Sequence, residues 1–112
     1  MIIVATDAPL SGIQLERLAK CSLFGLARTG SVMANSSGDS AIAFSTQAAS
    51  HESIPHNDLT TFFRATVEAT EESLYDALFT AETVTGRDGN TLHALPAEKV
   101  AEIIRRYRNE AV

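Results

Sequence analysis

The sequence has 112 residues, 45% of them hydrophobic, and a net charge of -5 that gives a pI near 5.0. A chain of this length is predicted to form one domain, residues 1–112, without internal repeats. The acidic balance argues against nucleic acid and anionic membranes as partners, and no apolar run reaches transmembrane length. The N-terminus shows no basic and apolar leader. Localisation is left open, because the native N-terminus is not seen if the chain is a fragment; the cytoplasm is slightly favoured.

The first predicted element is a strand over Met1–Ala5. Its apolar, β-branched composition is typical of a central strand that is buried on both faces. The turn-forming residues 6–9 end the strand, because Pro9 cannot donate to a sheet ladder. Chain termini usually lie free at the surface, so a buried strand at the first residue suggests a chain that has been cut or split.

A helix is predicted from Gly12 to about Ala27, with Ser11 as its N-cap and Gly30 as its C-terminal breaker. Its apolar residues recur at three- and four-residue steps, which indicates one buried face: Leu15, Leu18, Ala19, Ser22, Leu23 and Leu26. Cys21, the only cysteine, lies in this helix. We interpret it as a packing residue, because no histidine stands near it in the sequence to activate a nucleophile.

A second strand is predicted over Ser40–Thr46, and a polar surface loop follows over residues 47–57. The strand alternates weakly between a larger and a smaller face: Ile42, Phe44 and Thr46 against Ala41, Ala43 and Ser45. Small side chains permit close approach by a neighbouring element or a substrate. The smaller face is therefore the one expected to receive a close neighbour.

Two histidines in the loop raise the alternative of a metal site. His51 and His56 enclose Glu52, but their spacing is one residue longer than in the helical His-Glu-x-x-His zinc motif. Pro55 would also break the helix that such a site needs. We therefore predict no metal site here.

A long helix is predicted from its N-cap Asp58 to about Thr85. Its buried stripe comprises Phe63, Val67, Thr70, Leu74, Ala77, Leu78, Ala81 and Val84. The acidic residues Glu68, Glu71 and Glu72 lie at helical spacing. Both a solvated face and the recognition of a substrate ammonium group are open interpretations of these acids.

The C-terminal region begins with a tight turn over residues 86–90, whose two glycines are expected to adopt unusual backbone angles. A brief extended piece, Leu92–Leu95, precedes Pro96 at the start of a final helix. Its apolar stripe comprises Val100, Ile103, Ile104 and Tyr107. Arginines at 105, 106 and 108 crowd the end of this helix, where the helix dipole favours cations. We interpret them as dipole partners or solvated charges.

The loop before the second strand carries the candidate site. Ser37 and Asp39 stand two residues apart at the mouth of that strand, and Gly38 lets a ligand approach closely. A hydroxyl and a carboxylate held in this way can form a site. Such residues also occur in ordinary loops, because their side chains bond to their own backbone, so a loop-only role is a second interpretation.

Six short segments occur in this order along the chain: Ala5–Leu10, Gly25–Gly30, Asn35–Asp39, Ala43–Thr46, Gly86–Gly89 and Ala94–Pro96. Together they resemble the C-terminal part of the DmpA/BapA family of self-processing serine aminopeptidases. That family includes L-aminopeptidase/D-Ala-esterase/amidases and β-peptidyl aminopeptidases. The matching segments span nearly the whole chain.

The predicted order β-α-β-α-α indicates an α/β chain whose two strands alone make a poor sheet. The resemblance implies that the chain is the C-terminal part of a longer precursor. It also implies a four-layer αββα sandwich of the N-terminal-nucleophile-hydrolase type, in which a larger N-terminal subunit contributes most of the sheets. The expected partners are that larger subunit and further copies of the two-subunit unit.

The activity implied by the resemblance is removal of N-terminal residues from peptides, amides or esters. The family's precursor cuts itself before a serine, which becomes the N-terminal nucleophile and is expected just upstream of Met1. By position, the resemblance assigns Ser37 and Asp39 as the hydroxyl and carboxylate that complete the catalytic site. Oxyanion-hole donors are expected from the larger subunit, and no metal or organic cofactor is implied.

A non-enzymatic alternative is a self-associating α/β module that binds a ligand or partner. A third hypothesis is a serine hydrolase that uses only residues of this chain. The sequence lacks the Gly-x-Ser-x-Gly elbow that such an enzyme would carry, and its histidines have no apparent serine partner. The third hypothesis is therefore the weakest.

Overall fold

The computed structural model describes residues 1–36, 38–47 and 54–110. The chain contains both helices and strands, which confirms the predicted α/β class. In chain order they are β1 (Ile2–Thr6), α1 (Gly12–Arg28), β2 (Ala41–Ser45), α2 (Leu59–Thr80), β3 (Val84–Thr85), β4 (Thr91–Leu92) and α3 (Ala97–Glu110). The chain packs into two compact units, residues 1–74 and 75–112.

The sheet of the first unit consists of β1 and β2, which pair in parallel from Ile2 opposite Ala41 to Thr6 opposite Ser45. Parallel neighbours need a crossover connection, and α1 supplies it. One face of the sheet packs on the core, where Val4 and Ala43 contact a buried cluster of Ala8, Leu10, Leu18 and Leu59. The small side chains of β2 thus face the core, and the close neighbour expected on that face is α1.

Ser11 is the N-cap of α1, as predicted, and it forms a capping box with Gln14. The Ser11 hydroxyl accepts from the Gln14 N–H at 3.4 Å, and the Gln14 side-chain oxygen accepts from the Ser11 N–H at 2.9 Å. The Gln14 amide nitrogen also donates to the Ile54 carbonyl at 2.6 Å, which ties the segment before α2 to α1. The helix ends at Arg28, and Gly30 follows with φ +93°, as expected of a breaker.

The carboxyl ends of the two strands are held by a buried turn. Ala8 and Leu10 are buried there, and the Ser45 hydroxyl donates to the Ala8 carbonyl at 2.7 Å. The Thr46 N–H donates to the Thr6 carbonyl at 2.8 Å. The carboxyl end of the sheet is therefore closed by hydrogen bonds and packed side chains.

The prediction that β1 is buried on both faces is wrong for this chain. On the face away from the core, Ile3 is 63% exposed, Ile42 55% and Phe44 45%. We call Ile3, Ala5, Ile42 and Phe44 the open sheet face. Among the described residues no element covers it, because α1 packs on the opposite side.

The end of α2 differs from its prediction. The helix stops at Thr80 rather than near Thr85, and β3 pairs with β4 in an antiparallel hairpin. Val84 and Thr85 are β-branched and precede a tight turn, which favours a strand over a last helical turn. In that turn Asp88 (φ 63°) and Gly89 (φ 77°) take left-handed angles, whereas Gly86 does not.

The predicted apolar stripes are only partly buried. Along α2, the stripe is buried or half-buried up to Leu74 and exposed from Ala77 onward. Along α3, Val100 is half-buried, but the rest of the stripe is exposed: Ile103, Ile104 and Tyr107. Both exposed stretches belong to the second unit. No helix in the described ranges is both long enough and apolar enough to cross a membrane.

Candidate active site

The candidate site lies at the amino ends of β1 and β2. The Ile2 N–H donates to the Ser40 carbonyl at 2.8 Å, so the strand pairing continues to the end of the preceding loop. Ile2 stands opposite Ala41, which is the first pair of the register. Asp39 directly precedes Ser40 in that loop. The sequence predicted that Asp39 belongs to the candidate site. It did not predict that the start of β1 pairs with Ser40, because this pairing depends on the strand register.

Asp39 and its neighbours are open to solvent. Gly38, Asp39 and Ser40 are all exposed, and so is Met1, the residue before β1. A carboxylate in such a place can contact a bound molecule without first displacing packed side chains. Ser37, the other predicted site residue, lies outside the described residues. The structure therefore places one of the two predicted side chains.

The loop before Asp39 has its own backbone constraints. The Thr29 hydroxyl donates to the Leu26 carbonyl at 2.7 Å, which closes the end of α1. Met33 has φ 46°, a left-handed angle that costs a non-glycine residue about 1 kcal/mol or more. The Ser31 hydroxyl accepts from the Met33 N–H at 3.4 Å. Local hydrogen bonds thus accompany this unusual backbone angle.

An ion pair links the start of the same loop to α2. The Arg28 guanidinium lies 3.1 Å from the Glu71 carboxylate, and both side chains are partly exposed. Pairs of this kind contribute roughly 0.2–1 kcal/mol. Glu68 and Glu72, the other members of the predicted acidic group, are exposed, as expected of a solvated helix face. Glu71 thus acts as a partner of Arg28.

The structure describes only one of the two histidines that raised the alternative of a metal site, His56. His51 and Glu52 lie outside the described residues. His56 Nδ1 lies 3.4 Å from the Arg17 guanidinium, which stacks over the Phe63 ring with 4.7 Å to the centroid. Within the described part of the chain, no three His, Cys, Asp or Glu side chains are grouped so that they could hold a metal ion.

Cys21 is half-buried on α1. Burial raises the pKa of its thiol above the ordinary value, and the nearby charge of Arg17 offsets only part of that shift. A nucleophilic cysteine needs the opposite shift, because the thiolate is the reactive form. The packing role predicted for Cys21 fits this environment better than a catalytic one.

Comparison with known proteins identifies related chains. The sequence profile of Peptidase family S58 matches residues 1–92. Beta-peptidyl aminopeptidase BapA of Sphingosinicella microcystinivorans is 39% identical over 99% of this chain and 31% of its own length. BapA of Sphingosinicella xenopeptidilytica is 34% identical over 94% of this chain and 29% of its own length.

Two solved structures share the fold. The PH0078 protein of Pyrococcus horikoshii OT3 superposes with a TM-score of 0.81 at 43% identity, over 94% of this chain and 32% of that one. The L-aminopeptidase D-Ala-esterase/amidase of Ochrobactrum anthropi superposes with a TM-score of 0.78 at 32% identity, over 94% and 33%. That enzyme is described as a prototype serine aminopeptidase and a variant of the Ntn hydrolase fold.

The predicted fold type and family resemblance are therefore confirmed. The α/β chain has the fold of an N-terminal-nucleophile hydrolase over the residues compared. It spans roughly a third of the length of each of these four relatives.

Proposed function

The chain belongs to peptidase family S58, and we propose that it is the small-subunit region of a serine aminopeptidase. In this proposal the nucleophile is an N-terminal serine just upstream of Met1, released when a longer precursor cuts itself. The observation that supports the proposal is the hydrogen bond from the Ile2 N–H to the Ser40 carbonyl, which joins the start of β1 to the residue that follows Asp39.

The position of the nucleophile follows from extending the parallel register. Ile2 pairs with Ala41, so a residue directly before Met1 would stand opposite Asp39 if β1 continued. Neighbouring strands lie about 4.8 Å apart, which is within reach of short polar side chains. A serine hydroxyl and the Asp39 carboxylate would then share one end of the sheet.

The chemistry in this proposal is acyl transfer. The serine oxygen attacks the substrate carbonyl and forms a bond to its carbon. The free α-amine, with an ordinary pKa just under about 8, accepts the hydroxyl proton and passes it to the nitrogen of the leaving amine as the C–N bond of the substrate breaks. Water then hydrolyses the acyl-enzyme ester. Oxyanion donors would come from the larger subunit, and Ser37 would supply a hydroxyl beside the nucleophile.

Asp39 has two roles in the proposal. As a carboxylate beside the nucleophile it helps to orient the proton-transfer network. Its charge also suits the ammonium group that a substrate with a free N-terminus presents. The names of the relatives, aminopeptidases and an esterase/amidase, favour a substrate of this kind. Its exposure supports both roles, because a substrate can reach it.

The partner in the proposal is the remainder of a longer protein. Within the described residues β1 and β2 each have one unpaired edge, and the open sheet face is uncovered. A groove of about 210 Å³ is lined by residues of β1 and α2, and another of about 300 Å³ by residues of β2 and α1. Added strands at these edges and a second sheet on the open face would complete a four-layer sandwich.

The proposal is tested by restoring the larger subunit. A precursor that contains it should cut itself before the serine and hydrolyse L-aminoacyl p-nitroanilides or D-alanine amides. The purified 112-residue chain should hydrolyse neither. Replacing the upstream serine by alanine in the precursor should abolish both self-cleavage and turnover, which provides the control.

Two results would contradict the proposal. Turnover by the rigorously purified 112-residue chain that disappears on Ser37→Ala would place the nucleophile inside the chain. A folded precursor that neither cuts itself nor hydrolyses any of these substrates would favour a non-catalytic binding module instead.

A further inference from the structure

Hydrogen bonds join β1 and β2 at a regular interval along the two strands. The Thr46 N–H donates to the Thr6 carbonyl at 2.8 Å, and these two residues are forty apart in the sequence. At the other end, the Ile2 N–H donates to the Ser40 carbonyl, also at 2.8 Å. The bonds of a parallel pair are evenly spaced, and every second residue of each strand faces its neighbour.

Ser40 occupies the amino end of this repeat on the side of β2. Its carbonyl faces β1, because it accepts from Ile2, and in extended backbone the N–H and the C=O of one residue point to the same side. The offset of forty residues that joins Thr46 to Thr6 joins Ser40 to the residue directly before Met1. If β1 continues upstream, the Ser40 N–H is therefore directed at the carbonyl of that residue.

We propose that Ser40 is a positioning residue: its backbone N–H donates to the carbonyl oxygen of the N-terminal serine and keeps that serine in line with β1. This inference rests on the proposed function, since it takes the residue before Met1 to be the nucleophile. The hydrogen bond comes from the backbone and adds to the roles of the Ser37 and Asp39 side chains in the proposed site.

The same hydrogen bond is available before and after self-cleavage. Cleavage breaks the peptide bond on the amino side of the serine, whereas the carbonyl that Ser40 holds belongs to the peptide bond between the serine and Met1. The serine backbone therefore keeps one position in the precursor and in the mature enzyme. Misplacing a reacting group by about 1 Å can lower a rate about a hundredfold, so a single backbone bond can affect turnover.

The test replaces this one N–H by an ester oxygen in the precursor with its larger subunit restored. Ser40→Ala is compared with a protein that carries lactic acid at position 40, so the side chains are identical and only the N–H is lost. We expect kcat for an L-aminoacyl p-nitroanilide to fall about ten- to a hundredfold, with KM nearly unchanged. Self-cleavage should slow as well.

The same exchange at Thr46 is the matched control. Its N–H makes the equivalent bond at the opposite end of the strand pair. Lactic acid at position 46, compared with Thr46→Ala, should lower the melting temperature about as much as the ester at position 40 does, but should leave kcat unchanged. Ser40→Pro removes the Ser40 N–H by an ordinary substitution and is a second probe if the ester at position 40 fails to fold. Its kcat should fall by a similar factor.

Equal kcat values for alanine and lactic acid at position 40, in a precursor that cuts itself and hydrolyses substrate, would overturn the inference and leave the proposed function standing. Equal losses of kcat at positions 40 and 46 would also overturn it, because they would indicate a general loss of strand pairing. A wild-type precursor that neither cuts itself nor hydrolyses substrate would overturn the proposed function, and this inference with it.

Discussion

Gly25 on α1 lies directly against Thr70 on α2. A Cβ built on Gly25 would stand 2.7 Å from the Thr70 Cβ and 2.6 Å from the Val67 carbonyl oxygen. Contacts this short force the backbone to shift, because the atoms they meet are not the ends of flexible side chains. We expect Gly25→Ala to lower the free energy of unfolding by about 1–3 kcal/mol. Urea denaturation followed by circular dichroism measures this loss.

Gly12→Ala is the matched control for that substitution. Gly12 lies on the same helix, as its first residue, but a Cβ there meets nothing within 4 Å. Alanine should therefore be neutral or stabilise the chain by about 0.4–1 kcal/mol, because it restricts the unfolded state. A Gly25→Ala variant as stable as Gly12→Ala would show that the two helices are not held in this close contact.

The Cys21 thiol should have a higher pKa in the folded chain than an exposed cysteine has. Burial raises its pKa above that of an exposed thiol, so at a given pH a greater fraction of the folded chain than of the unfolded chain keeps the proton. Alkylation by iodoacetamide should therefore reach half its maximal rate at a higher pH in the native chain than in guanidinium chloride. A native midpoint at or below the denatured one would contradict the burial of this thiol.

The same shift has a consequence for stability. Because the folded-state pKa of Cys21 is the higher one, its contribution is fully present below the unfolded-state pKa. It is lost as the pH rises through the folded-state pKa. As the pH rises from the unfolded-state pKa to the folded-state pKa of Cys21, the free energy of unfolding of the wild type should thus fall more steeply than that of Cys21→Ala.

Asp39 should matter for turnover and little for stability. In the precursor with the larger subunit restored, Asp39→Asn keeps the shape of the side chain and removes its charge. We expect hydrolysis to fall at least about a hundredfold, the size of a lost proton-transfer or electrostatic contact. Ser37→Ala should have an effect of similar size. Initial rates and melting temperatures of both variants, compared with wild type, test this.

Asp58→Asn removes an exposed carboxylate elsewhere on the chain and serves as the control for Asp39→Asn. It should leave the rate of hydrolysis unchanged. A role of Asp39 in the loop alone would instead cost roughly 0.5–2 kcal/mol of stability with near wild-type turnover. That pattern would remove Asp39 from the proposed site.

The open sheet face should bind apolar probes in the 112-residue chain. Ile42→Thr with Phe44→Thr places β-branched residues at both positions of β2, which suits a strand, and removes two of the four apolar side chains of this face. Fluorescence of the dye ANS should fall in this variant, and solubility should rise. The same substitutions in the precursor with its larger subunit should lower the melting temperature, because the face is then part of a buried layer. Unchanged stability of the precursor would contradict a second sheet on this face.

The sequence predicted α1 and β2 well because their signals are local. Ser11 and Gly30 mark the ends of the helix through capping and backbone angles, and the alternation of Ala41 with Ile42 identifies two faces of a strand. The hairpin of β3 and β4 was missed, because two-residue strands leave no periodic pattern.

Exposure was predicted less well than secondary structure. An apolar stripe indicates which side of an element avoids water, but it does not show which element covers it. Ile3 and Leu78 are therefore exposed in this chain although their spacing indicates burial. For the site, residue types pointed to Asp39, whereas the pairing of Ile2 with Ser40 depends on a contact between distant parts of the chain.

The parallel register also restricts where the chain can change in length. A one-residue shift of the whole of β2 relative to β1 would turn Ile42 and Phe44 toward α1 and move Ala41 and Ala43 to the opposite side. Residues inserted between 30 and 35 would instead leave Asp39 at the same distance before the strand. The position of Asp39 therefore depends on its sequence distance from Ala41, the first residue of β2. The loop after α1 can lengthen or shorten without displacing it.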